Sequence, residues 1–398
     1  MDKFLICILI PAILLCPSCS SKDEKDANVE VIDEIEYVHN AEIPLSPDKK
    51  VIFEQELSIG SEDEAGNVLL YRPGWYAVDS HEEMYIAERQ DMEIKVFDSE
   101  GRFLRAIGRK GRGPGEFQNI GRLALLPGGG LLVSDWSENR ISLFDKEGRF
   151  VNSHKTTSSS FEVYFCTDSY YVREDMTHEP DETGWGFKRK IFISSYDFNG
   201  NEIFSYGEFQ PSQSAFVKGR FSFSKPYDVH SVLVGDRKNH RLYHCLSDKY
   251  LIEVFDREGN LIRKIARPYD RLPVTEQDKQ QYLDGFRSRG SSEEDVALIE
   301  ENAEMPKLKP VAGRMITDDR GNLWVELNEK KGGNGRIFTA YDIFNENGIY
   351  EAKIWLDIRP GLFANGKMFR VETDEKTGYM EYKRYRVIWR DSEYRTID

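Results

Sequence analysis

The segment Met84-Tyr85-Ile86-Ala87-Glu88 is followed by Ile94-Lys95-Val96-Phe97-Asp98, by Ser99-Glu100-Gly101 and by Arg102-Phe103-Leu104. The same order returns as Leu132-Val133-Ser134-Asp135, Ile141-Ser142-Leu143-Phe144-Asp145, Lys146-Glu147-Gly148 and Arg149-Phe150-Val151, with equivalent residues such as Gly101 and Gly148 offset by 47 positions. Ile94 and Val96 alternate with Lys95, the two-residue period of a half-buried strand. Each Asp-x-x-Gly turn supplies a side-chain acceptor first and a residue tolerant of positive φ last. The turn recurs in Asp197-Phe198-Asn199-Gly200, Asp256-Arg257-Glu258-Gly259 and Asn345-Glu346-Asn347-Gly348.

A repeat of this length made only of strands and turns is the signature of a propeller. One four-stranded blade cannot cover both of its faces, so blades must stack around an axis. The expected fold is therefore all-β, a six-bladed β-propeller, with five or seven blades as the other counts. Five turns mark five blades. The sixth combines Met368-Phe369-Arg370-Val371 and Tyr385-Arg386-Val387-Ile388-Trp389 with an N-terminal strand near Val51-Ile52-Phe53, which closes the ring and removes exposed sheet edges.

The first 18 residues read as a signal peptide. Met1-Asp2-Lys3 precedes an apolar run from Phe4 to Cys16 that is too short to span a bilayer. In Cys16-Pro17-Ser18-Cys19 the small Ser18 precedes Cys19, a pattern that resembles a bacterial lipobox with Cys19 as the acylated residue. Cys16 is a poorer acceptor because bulky Leu15 precedes it, and a plain secretory signal is the other reading. Residues 19–35 are expected to be an acidic tether and 36–398 the propeller, with a helical insertion at about 270–310. Ser20-Ser21-Lys22-Asp23-Glu24-Lys25-Asp26 resembles the surface-export signal of Bacteroidetes lipoproteins. The expected place is the outer membrane, anchored by lipid at the cell surface, with the periplasmic side as the alternative.

The stretch from Met84 to Phe117 resembles an NHL-type repeat through Val96-Phe97-Asp98, Gly101-Arg102-Phe103, Ile107-Gly108 and Gly111-Arg112-Gly113-Pro114-Gly115-Glu116-Phe117. The whole chain resembles the six-bladed β-propeller lipoproteins common in Bacteroidetes. That resemblance implies a fold and a location, and no agreed activity.

Chemistry has to be weighed residue by residue. The 398-residue chain carries a formal net charge of -15, which argues against nucleic acid as a partner because phosphate binding needs clustered Lys and Arg. Gly108-Arg109-Lys110-Gly111-Arg112-Gly113-Pro114-Gly115 lacks the helix that a phosphate cradle needs after it, and reads as an inter-blade turn. Two cysteines remain in the body, Cys166 and Cys245, both in apolar strands and read as small packing residues. His240 and His244, four apart on a strand, are separated too widely for one ion, so neither a metal nor a cofactor is expected. No Gly-x-Ser-x-Gly elbow is present.

The candidate site is geometric. Loops between second and third strands of each blade share one face with the inter-blade connections, which places Glu88, Arg89, Asp135 and Trp136 there. Expansions from Arg173 to Lys188, with Trp185, and from Glu326 to Gly335 are expected on the same face. Thr275-Glu276-Gln277-Asp278 and Ser291-Ser292-Glu293-Glu294 start two helices there, read either as a lid beside the axial pocket or as packing on a blade edge. Glu88, Arg89, Asp135, Trp136, Trp185 and Glu326 are thus the expected ligand-binding residues, with blade-edge packing as the other reading of both tryptophans. A binding module for glycans or envelope proteins leads. An axial hydrolase or lyase of the NHL-propeller type and a structural role in envelope assembly are the alternatives.

Overall fold

The computed structural model describes residues 27–60, 70–157, 162–180, 187–217, 221–333, 335–374 and 377–390. Cys19, the signal peptide, the acidic run after Cys19 and Trp185 lie outside the described residues. The described chain forms six blades of a propeller, five of them four-stranded antiparallel sheets and the fourth part of a six-stranded sheet, beside one separate two-stranded hairpin. Blade 1 runs Pro73–Val78, Met84–Glu88, Glu93–Phe97 and Phe103–Ile107, and blade 2 repeats it from Ile120–Leu125 to Phe150–Lys155. Blades 3, 4 and 5 begin at Val163–Cys166, Ser231–Asp236 and Ala312–Thr317. Blade 6 takes Leu362–Ala364, Lys367–Thr373 and Met380–Arg390 from the C-terminal part and Lys50–Ile59 from the N-terminal part.

That closure explains why the sequence shows five turns for six blades. The recurrent Asp/Asn-x-x-Gly joins the third strand to the fourth, and in blade 6 these two strands come from opposite ends of the chain. In the turn of blade 2, Asp145 accepts the backbone N–H groups of Glu147 and Arg149 and the Nε–H of Arg149 at 2.7 Å. Gly148 closes it at a φ of +81°, and a Cβ there would lie 2.7 Å from Cγ1 of Ile107 on the outer strand of blade 1. The missing side chain thus serves two needs, a left-handed backbone and close approach to the preceding blade. Gly101 meets Leu57, Gly200 meets His154, Gly259 meets Phe204 and Gly348 meets Ile265 in the same way, each on the blade before.

The apolar residues follow this stacking. Six of the seven buried clusters among the described residues lie between neighbouring blades; one joins Val96, Ile107 and Phe117 to Val133 and Phe144. Blades 4 and 5 add a buried polar knot. Asp342, fully buried, accepts from Tyr250 at 2.6 Å, from Tyr350 at 2.7 Å and from Arg267 at 2.7 Å. With both carboxylate oxygens occupied, the charge is compensated where water is absent.

Two expectations change and one is borne out. Asn28–Ile32 pairs with Ile35–His39, and the latter runs parallel to Leu261–Ala266, so the expected tether of 19–35 overlaps a hairpin that widens blade 4. Val38 is buried there at 1% exposure, which gives the hairpin its hold. The expansions at 173–188 and 326–335 are elongated strands, Tyr171–Pro180 with Phe187–Tyr196 and Leu323–Gly333 with Arg336–Phe344, because their alternating residues continue the ladders past the blade. The insertion does hold two helices, α1 (Glu276–Arg287) and α2 (Glu293–Asn302), capped by Thr275 and Ser292. Their Leu283, Val296 and Ile299 pack on Phe223 of the hairpin Ser214–Val217/Phe221–Ser224.

Gly148→Ala should lower stability by roughly 1–3 kcal/mol, the usual cost of overpacking, with added backbone strain. Gly128→Ala, where nothing lies within 4 Å of the new Cβ, should leave the melting temperature nearly unchanged. Thermal unfolding of both variants checks the contrast.

Candidate functional site

The inner strands of the six blades surround an axial channel of about 1830 Å³. What points into it is set by a local irregularity. The register between first and second strands breaks at Pro73/Tyr76, Ile120/Leu123, Val163/Phe165 and Ala312/Arg314. A β-bulge bends the strand and re-aims the side chain at the break. Glycine accompanies three of these breaks, giving Gly74-Trp75, Gly121-Arg122 and Gly313-Arg314, and Trp75, Arg122 and Arg314 line the channel together with Tyr76 and Tyr164. Trp75 and Arg122 occupy equivalent positions of the 47-residue repeat.

Charge is concentrated at this level. The Arg122 guanidinium lies 3.2 Å from the ring centroid of Trp75 and forms an ion pair with Glu162. Behind Glu162 stands Glu174, whose Oε2 accepts the Tyr164 hydroxyl at 3.1 Å. Burial pushes the Glu162 carboxyl above the usual carboxylate range, against the pull of Arg122, Arg237 and Arg314. Burial also raises Glu174, to about 7; the Tyr164 hydrogen bond opposes the rise and the charge of Glu162 adds to it. Arg314 donates to the Pro360 carbonyl at 2.9 Å. Burial, then the like charge of Arg359, hold its guanidinium below the usual range.

The five expected binding residues that are described are not brought together as one surface. Glu88 is fully buried and accepts the backbone N–H groups of Tyr71, Arg72 and Gln90. Asp135, its repeat equivalent, is also fully buried and accepts those of Gln118, Asn119, Ser137 and Glu138. Both carboxylates are consumed in fixing the incoming inter-blade chain, which is why the repeat carries an acid there. Arg89 folds over Gly74, where a Cβ would meet its Cδ at 2.8 Å, and Trp136 folds over Gly121, its Nε1 only 2.3 Å from the Cβ position. Trp136 still lines the channel and meets Trp75 edge-on at 6.5 Å. Glu326 accepts Arg359 at 2.9 Å and Tyr341 at 3.1 Å. Trp185 is outside the described residues.

The other candidates resolve simply. Glu116 occupies the glycine-rich turn, accepting from Gly113 at 2.9 Å and from Arg109 at 2.8 Å, so the turn carries its own anion. His244 lies between Glu253 and Ser231, and His240 packs on Phe165. Cys166 and Cys245 are buried free thiols. Neither helix contributes to the channel wall, which rules out the lid reading for this conformation. Among the described residues no group of three or more His, Cys, Asp or Glu is arranged to hold a metal, and no helix is long and apolar enough to cross a membrane. Arg122, Glu162 and Arg314 escaped notice because they precede or break the regular strands, and Glu174 because it sits inside one; the repeat offset linking Trp75 to Arg122 was the available signal.

Residues 77–125 match a family model described as a 6-bladed beta-propeller (DUF5128). A member of the DUF4221 family from Bacteroides vulgatus superposes with a TM-score of 0.54 at 13% identity, covering 87% of this chain and 100% of that one. A structure described as an exported protein from Bacteroides fragilis aligns at 0.46 and 10% identity over 89% and 99% of the two chains. Virginiamycin B lyase from Staphylococcus aureus aligns at 0.35 and 10% over 84% and 99%. The first likeness concerns the fold alone, and the last two are too loose to carry an argument. No curated protein matches the chain.

Because the Glu174 carboxyl is raised, it favours the folded state while protonated. Its contribution is full below about 4.5, the ordinary value, and is lost as pH rises through about 7. Urea unfolding of wild type against Glu174→Gln should show the wild type losing up to roughly 3 kcal/mol more than the variant between pH 4.5 and 7.5. Parallel pH curves would contradict the raised carboxyl.

Proposed function

We propose that this protein is an exported lipoprotein, anchored through Cys19 at the outer membrane, whose six-bladed propeller binds a polar ligand in its axial channel. The carrying observation is the convergence of Trp75, Tyr76, Arg122, Glu162, Tyr164 and Arg314 from inner strands of four blades on one cavity. A concave site with a few convergent polar groups on a rigid scaffold is the ordinary form of a ligand pocket. Export rests on the signal-like N-terminus and the Ser18-Cys19 pattern, and the NHL-type reading on the repeat through Phe117. Aromatic rings beside charged hydrogen-bonding groups suit a glycan, which presents both apolar ring faces and hydroxyls. The earlier expectation of a site on the loop ends moves inward with this reading.

A second reading is an axial enzyme. Its supporting observation is Glu174, a carboxyl near 7 beside the Tyr164 hydroxyl in the channel, a value suited to proton transfer.

Gly313 faces the channel with 3.7 Å to the nearest neighbour of an added Cβ, so Gly313→Phe should narrow the channel without distorting the strand. On a glycan array this variant should lose the signals that wild type gives, while its melting temperature stays close. Unchanged signals would place the site outside the channel. Cys19→Ser should abolish acyl labelling and release the protein from membranes; persistent labelling would point to Cys16.

A further inference from the structure

The channel's charges do not balance by partner. Arg122 has Glu162, and at the opposite mouth Arg105 holds Glu83 at 2.9 Å while Asp318 is filled by the N–H groups of Arg320, Asn322 and Trp324. Asp319 accepts the N–H of Gly366. Two cations are left over. Among the described residues Arg314 has the Pro360 carbonyl and no ion pair, and Arg237 has neither a hydrogen bond nor an ion pair. Both nonetheless act on the same groups, since the charges of Arg237 and Arg314 each reach Glu162 and Tyr76. Both line the channel, Arg237 from blade 4 and Arg314 from blade 5, as does Tyr76 from blade 1.

Resting on the axial-channel reading above, we infer that Arg314 and Arg237 anchor the carboxylate of an acidic oligosaccharide. The Arg314 guanidinium is half-buried without a counter-ion, which is costly, and a bidentate carboxylate restores what it lost, while the exposed Arg237 is open to the same anion. Arginine suits this better than lysine because its planar fork matches two carboxylate oxygens. The channel exceeds the roughly 300–1,000 Å³ of sites for drug-sized ligands, so it takes more than one sugar ring. The chain as a whole, at -15, repels anions, and the channel lining carries seven Asp or Glu against six Lys or Arg; attraction must therefore come from these two guanidiniums themselves. Glu162 is a built-in carboxylate facing Arg122, Arg237 and Arg314. It competes with the ligand's carboxylate for the same cations.

Calorimetric titration of the full chain in detergent with tri-galacturonic acid and with its fully methyl-esterified form tests the charge directly. Wild type should bind the acid at least tenfold more tightly than the ester. Arg314→Gln and Arg237→Gln should each weaken the acid about tenfold without affecting the ester, and Glu162→Gln should tighten the acid several-fold. A structural role for Glu162 would not produce that gain. If Arg314→Gln fails to fold, Arg314→Lys, which keeps charge but loses the fork, should give an intermediate loss. Equal binding of acid and ester, lost in Gly313→Phe, would overturn the carboxylate anchor while leaving the channel reading intact. Binding of the acid that Gly313→Phe leaves unchanged would overturn both, as would no binding of either form to wild type.

Discussion

Every blade of this molecule depends on contact with the blade before it. A four-stranded sheet with apolar residues on both faces has no stable life in water alone, and the ring is the arrangement that covers each face with another. The recurrent turn glycines carry this contact at the outer rim, where Gly148 sits against Ile107 and Gly348 against Ile265. A side chain there would push neighbouring blades apart at the periphery, where small displacements are longest. The buried Asp342 knot does comparable work between blades 4 and 5, but through charge in place of packing.

The rigidity gained at the rim is what lets the axis be irregular. Inner strands end in bulges at Trp75, Arg122 and Arg314, where ladder hydrogen bonds are given up to turn side chains inward. Such sacrifices are tolerated only where surrounding structure fixes the backbone. Glu88 and Asp135 supply that support, each binding several amides of the chain that enters the inner strand.

The fold was legible because its signals are local and repeated. Asp98–Gly101 and Asp145–Gly148 differ in one residue, Ser99 against Lys146, and demand the same turn, and period-two alternation in Ile94–Phe97 admits one face only. Even the closing strand near Val51 was accessible, since five turns for six blades imply a blade split between the chain ends. The site was less legible for a physical reason. Glu88, Arg89, Asp135 and Trp136 have the right chemical types and lie at the right end of the blade. A sequence does not show whether a carboxylate points to ligand or is spent on backbone amides, nor that Trp136 would fold onto Gly121. The residues that do converge come from bulges, and a bulge has no period. The helices were read correctly from Thr275 and Ser292, but their destination against Phe223 was set by an apolar contact too distant in sequence to be read.

The closure of blade 6 has a consequence for how the molecule is made. Val51 lies opposite Trp389, so the first long strand to be synthesised waits for one of the last before it has a partner. Contacts of this separation make folding slow and all-or-none. A chain cut short before Met380 would leave Lys50–Ile59 without a partner strand and the ring open at one blade, with apolar edges that proteases recognise. The split blade therefore acts as a check: only a chain translated through Met380–Arg390 acquires the closed form, and only the closed form has a channel.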